Sequence, residues 1–148
     1  MVIELPPDFR EFLKLLNSHR VDYLLIGGFA VGFHGYPRAT SDIDIWVGRS
    51  PENAKRVVAA IREFGFDTPN LTPELFQQER KIVRMGHPPV RIEVMNSIDG
   101  VVFDQCRENL VETDFDGISV PVISLSDLKV NKKASGRPKD MDDLEQLP

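Results

Sequence analysis

The run Ser41-Asp42-Ile43-Asp44-Ile45 constrains this chain more than any other segment. Successive side chains on a strand point to opposite faces. Asp42 and Asp44 therefore share one face, and Ile43 and Ile45 the other. The isoleucines can enter a core while both carboxylates enter the same space. Asp is disfavoured in strands, and two like charges this close raise each other's pKa unless a cation lies between them. Mg²⁺ is the natural cation: it is hard, prefers oxygen, and is often held by one or two carboxylates together with substrate phosphates. A polar strand face that only meets solvent is the plainer explanation of an isolated Asp-x-Asp, so the surrounding residues decide.

Residues 21–26, Val-Asp-Tyr-Leu-Leu-Ile, read as a buried strand that Gly27-Gly28 ends sharply. A short helix is expected over 29–35, stopped by Pro37. Free backbone N–H groups at a helix start can hold phosphate, and glycine lets a phosphate approach the backbone closely. The same two glycines also suit a simple tight turn. They do not belong to a dinucleotide fingerprint, nor to a P-loop, since Gly32 is followed by Phe33-His34.

Elsewhere, Phe9, Phe12, Leu13 and Leu16 make one apolar stripe of a helix over 9–20. Ser50-Pro51-Glu52 starts a helix to about residue 64, with Val57, Val58, Ile61 and Phe64 inward. Residues 81–85 and 90–95 read as strands joined by Gly86-His87-Pro88-Pro89, and 101–106 fits no single element. Asp116-Gly117 suggests a hairpin turn. Ser124 to Asp127 resembles a capping box opening a helix to about Ala134, and Asp140–Leu147 reads as a last helix. This order predicts an α/β (α+β) fold, a mixed central sheet flanked by helices, in a single domain over residues 1–148.

The chain has 148 residues and a net charge of −5. That length can bury a core without disulfides. The acidic balance argues against grip on long nucleic acid, which favours a basic surplus. No apolar run approaches the ~20 residues that cross a bilayer. The first residues lack signal-peptide character, and the single Cys106 forms no internal disulfide. A cytoplasmic location is expected.

Leu25-Ile26-Gly27-Gly28, a spacer, then Asp42-Ile43-Asp44-Ile45 resembles the signature of the polymerase-β-like nucleotidyltransferase superfamily. The stretch from Ile26 to Ile45 resembles its small prokaryotic branch, which includes antibiotic and toxin–antitoxin-type nucleotidyltransferases. The resemblance implies a third carboxylate on a later strand. Glu93 in Val90-Arg91-Ile92-Glu93-Val94 is the candidate, with Asp99 as fallback. The family usually has Asp there, and Glu93 could instead pair with Arg91 on the same strand face. The implied metal ligands and catalytic residues are thus Asp42, Asp44 and Glu93, holding Mg²⁺ or Mn²⁺, two ions in all.

Gly27, Gly28, Arg38, Thr40 and Lys132 are the implied nucleotide-binding residues. Arg38 could fork onto phosphate or lie on the surface. Lys132 follows Leu125 and Leu128 at i+7 and i+4 and leans inward, where it needs an anionic partner. Lys133 points elsewhere, His34 packs on its helix, and Asp140 and Asp143 read as capping and surface acids. The implied partners are a nucleoside triphosphate and a hydroxyl acceptor: a small molecule, a protein or an RNA end. A homodimer or an antitoxin-like partner could complete so small a site. The rival expectations are an inactive nucleotide-binding or regulatory protein, and a toxin–antitoxin component acting by protein contact.

Overall fold

The computed structural model describes residues 5–87 and 89–148, so the expected link through Pro88 lies partly outside the described residues. Helix α1 (Pro7–Ser18) buries Phe9, Phe12, Leu13 and Leu16, the stripe read from the sequence. Strand β1 (Tyr23–Ile26) is buried throughout. Helix α2 (Gly27–Phe33) begins at the double glycine itself rather than at residue 29. Strand β2 (Asp42–Val47) alternates as expected, with Ile43 and Ile45 in the core.

Ser50 caps α3 (Pro51–Phe64) by accepting a hydrogen bond from the Asn53 N–H at 3.1 Å, a cap worth about 1 kcal/mol. Asn53, buried, fastens two strand ends. It accepts from the Asp22 N–H at 2.7 Å and donates to the carbonyls of Asp22 and Gly48. The edge-on contact of Phe12 and Phe64 joins α1 to α3.

Helix α4 (Pro73–Gln77) was not expected; a single turn gives too short a pattern to read. Strands β3 (Ile82–His87) and β4 (Val90–Met95) follow, then α5 (Phe103–Glu108), which places residues 103–106 in a helix and 101–102 just before it. The Asp116-Gly117 turn joins β5 (Val111–Phe115) to β6 (Ile118–Val122), with both turn residues at positive φ. Ser124 caps α6 (Leu125–Ser135) through the Asp127 N–H, and α7 (Pro138–Gln146) starts two residues before the expected position, on Pro138.

The strands form one mixed sheet in the order β3-β4-β2-β1-β6-β5. β2 runs antiparallel to β1 and parallel to β4. In the β2–β4 register Ile43 meets Ile92 and Ile45 meets Val94, all four buried. The opposite face therefore pairs Asp42 with Arg91 and Asp44 with Glu93. Trp46 continues that face beyond Asp44, where it is 1% exposed and meets Phe103 edge-on with ring centroids 5.2 Å apart. Among the described residues no helix is long and apolar enough to cross a membrane.

Candidate active site

The acid-bearing face of β2 and β4 opens into a cleft of about 580 Å³, lined by Gly27, Gly28, Asp42, Asp44, Glu93 and Lys132 among others. Arg38, Thr40 and Asp99 also line it, so the residues implied as metal- and nucleotide-binding all reach one space. A second hollow of about 490 Å³ surrounds Trp46, Asn53 and Phe103, but Asn53 there is already bonded to backbone.

Gly27 is required by a close approach. Its φ is +69°, and a Cβ there would stand 2.1 Å from Asp44 Oδ2. Any larger residue would displace the Asp44 carboxylate. Gly28 likewise leaves room for Thr40, whose side chain a Cβ would meet at 2.9 Å. The Thr40 hydroxyl donates to the Asp42 carbonyl at 3.1 Å and accepts from its N–H at 3.4 Å, steadying the start of β2.

The three acids stand in different states. Asp42 accepts a forked pair from Arg91, Nε to Oδ1 at 3.1 Å and Nη2 to Oδ2 at 2.9 Å. Those hydrogen bonds hold its carboxyl below the usual range. Glu93 takes weaker contacts from Arg84 and Arg91, both at 3.3 Å. Asp44 is the unsatisfied member. Its Oδ1 is buried with no hydrogen-bond partner. Burial first, then the charges of Glu93 and Asp42, push its pKa up to about 7.

On the other wall α6 and α7 bury a second set of charges. Lys132 Nζ lies 3.0 Å from both Asp140 and Asp143. Arg38 forks onto Asp143 with both nitrogens at 2.8 Å, and Arg137 Nε reaches Asp140 at 2.7 Å. Burial would raise both acids, but the hydrogen bonds from Arg137 and Lys132 to Asp140, and from Arg38 and Lys132 to Asp143, outweigh it and hold both low. The sequence reading of Asp140 and Asp143 as capping and surface acids is thereby corrected: both are buried partners of cations. Their spacing of three places them on one face of α7, the signal that could have shown it. Lys132 does lean inward, and the anions it meets are these two carboxylates.

Asp99 lines the same cleft but is tied to α6. Its carbonyl accepts from Asn131 at 2.9 Å and its carboxylate from Ser135 at 3.4 Å. His34 donates from Nε2 to the Ile123 carbonyl at 2.6 Å, a packing role.

Among the described residues no three His, Cys, Asp or Glu side chains are gathered at metal-holding distance. The donor chemistry nonetheless fits a hard cation. Asp44 offers a buried, unpartnered oxygen, Glu93 is its cross-strand neighbour, and Asp42 stands one register step away. The arginines of this cluster occupy Asp42 and Glu93 and leave Asp44 alone.

The sequence profile of a family described as "Nucleotidyltransferase of unknown function (DUF6036)" matches residues 7–147, and the chain belongs to that family. No curated protein sequence matches it. Among solved structures, a candidate nucleotidyltransferase from Thermotoga maritima is 18% identical with a TM-score of 0.62, over 93% of this chain and 88% of that one. A lincosamide antibiotic adenylyltransferase with lincomycin bound is 17% identical with a TM-score of 0.57, over 99% of this chain and 96% of that one. At these identities the likeness establishes the fold alone, one shared with nucleotidyltransferases.

Proposed function

We propose that this family member is a metal-dependent nucleotidyltransferase, moving a nucleoside monophosphate from a nucleoside triphosphate to a hydroxyl acceptor with release of pyrophosphate. The observation that carries the reading is Asp44. A carboxylate is buried beside two others, one oxygen has no partner, and a glycine is kept small to make room for it. Structural acids are paired, as Asp140 and Asp143 are; an acid left unpaired against other acids points to a cation.

In this reading Asp42, Asp44 and Glu93 hold Mg²⁺ or Mn²⁺, two ions in all. When bound, such ions neutralise phosphate charge and activate the acceptor hydroxyl. The chain's own contribution is positioning. Gly27 and Gly28 let the triphosphate approach the backbone. Arg38 and Lys132, fixed by Asp140 and Asp143, present pre-oriented positive charge to its β- and γ-phosphates. Thr40 holds the start of β2 in register so that Asp42 and Asp44 keep their spacing. The acceptor belongs to the class of hydroxyl compounds, a small molecule, a protein side chain or an RNA end, and a second copy or an antitoxin-like protein would complete its site.

The direct test is pyrophosphate release from each nucleoside triphosphate with Mg²⁺ or Mn²⁺ in the presence of cell extract, for the native chain and Asp44→Asn. Loss of release in the variant supports the assignment; full activity in Asp44→Asn sinks it. One observation favours a second reading, nucleotide binding without transfer: Arg91 ties Asp42 to Glu93. Metal-dependent thermal stabilisation by a triphosphate, without pyrophosphate release, would select that reading.

A further inference from the structure

The Arg91 side chain stands where a cation shared by Asp42 and Glu93 would stand. It is the direct cross-strand neighbour of Asp42 in the parallel β2–β4 pairing, and it lies two residues before Glu93 on the same face. Its Nη2 touches both acids, Asp42 Oδ2 at 2.9 Å and Glu93 Oε1 at 3.3 Å, while Nε completes the fork on Asp42 at 3.1 Å. A planar guanidinium holds carboxylate oxygens near 3 Å from its nitrogens; Mg²⁺ draws them to about 2.0–2.1 Å. The two modes are mutually exclusive at Asp42. They also account for the absence of a three-acid cluster among the described residues although the register brings the acids together.

We propose that Arg91 is a positioning residue that serves as the cluster's internal cation: it holds Asp42 until a divalent ion binds and is displaced by that ion. This rests on the metal-binding reading above. Arg91 can leave because it is long and about a third exposed, and its stem rises from β4 at the cleft wall. Once released it remains in the cleft as a free fork for an anionic group. Occupation of the acids by metal and recruitment of an anion by Arg91 are then coupled, and linkage makes the coupling reciprocal.

The experiment is Mn²⁺ titration of the intact chain without nucleotide, followed by the electron paramagnetic resonance of free Mn²⁺. The variants are Arg91→Ala, Arg91→Gln, Arg91→Lys, Arg84→Ala and Asp44→Asn, each checked for folding by circular dichroism. Arg91→Ala and the bulkier Arg91→Gln should bind Mn²⁺ about tenfold more tightly than the native chain. Arg91→Lys keeps the charge but loses the fork, and should still tighten binding by about threefold. Mere removal of positive charge predicts the reverse pattern: Arg84→Ala as tight as Arg91→Ala, and Arg91→Lys unchanged. Damage to the fold predicts weaker binding throughout. Either pattern, with Asp44→Asn abolishing Mn²⁺ binding, overturns the role of Arg91 and leaves the metal reading intact. No Mn²⁺ binding by the native chain or by Arg91→Ala overturns both.

Discussion

On the sheet side of the cleft three acids, Asp42, Asp44 and Glu93, face two arginines. On the helix side three cations, Arg38, Lys132 and Arg137, face two acids. The composition is nearly mirrored and the electrostatic outcome is opposite. Asp140 and Asp143 are buried yet held low, because each buried acid meets two cations. Asp44 is raised, by burial first and then by the charges of Glu93 and Asp42, with no cation among the described residues bonded to it to offset either. Burial pushes all three carboxyls upward, and the hydrogen-bonding cations decide whether that push prevails. The acids of the helix wall are all paired with cations, while the sheet wall carries an unmet demand for positive charge.

That contrast can be broken most forcefully at Lys132. Lys132→Met leaves Asp140 and Asp143 buried with one cation each and should cost about 3 kcal/mol in urea unfolding. Little loss would place the network's strength in the arginines instead.

Asp44→Asn should act in the opposite direction and stabilise the metal-free chain. The Asp44 pKa is higher folded than unfolded, so its favourable protonated state is kept below about pH 4 and lost as pH rises through about 7. The variant's advantage should be absent near pH 4 and grow to the order of 2 kcal/mol at pH 8 in chelator. An advantage independent of pH would contradict the assignment of strain to ionised Asp44. Asp140 and Asp143, held low, lend stability that is lost only as pH falls through their depressed pKa values.

Arg38→Lys sharpens the comparison by keeping the charge and losing the fork on Asp143. A loss of about 1–2 kcal/mol in thermal or urea unfolding is expected. The smallest effect belongs to Arg84→Ala. This arginine is 59% exposed, and its contact with Glu93 should be worth about 0.5 kcal/mol or less. A larger loss would mean that the sheet wall is better balanced than its geometry indicates.

Legibility in the sequence followed the range of the interactions. Asp42, Asp44 and the Gly27-Gly28 turn were readable because strand alternation and turn chemistry act over a few residues. The caps at Ser50 and Ser124 and the hairpin at Asp116-Gly117 were readable for the same reason. Helices α4 and α5 escaped because five or six residues hold too few turns for a period. The pairing of Arg91 with Glu93 was among the alternatives, since both lie on one strand. Its fork on Asp42 depends on the β2–β4 register, which local pattern does not carry. The burial of Asp143 was hidden because its partner Arg38 is 105 positions away.

The placement of Trp46 has an optical consequence. It is the protein's single tryptophan, and it shares the strand face of Asp42 and Asp44. Shielded from water and set against Phe103, it should emit at short wavelength in the native chain. All indole emission thus originates from the strand that carries the two aspartates. A red shift during denaturation reports the opening of that strand's surroundings, and a change in intensity on adding Mn²⁺, a paramagnetic quencher, would be read from a single position close to Asp44.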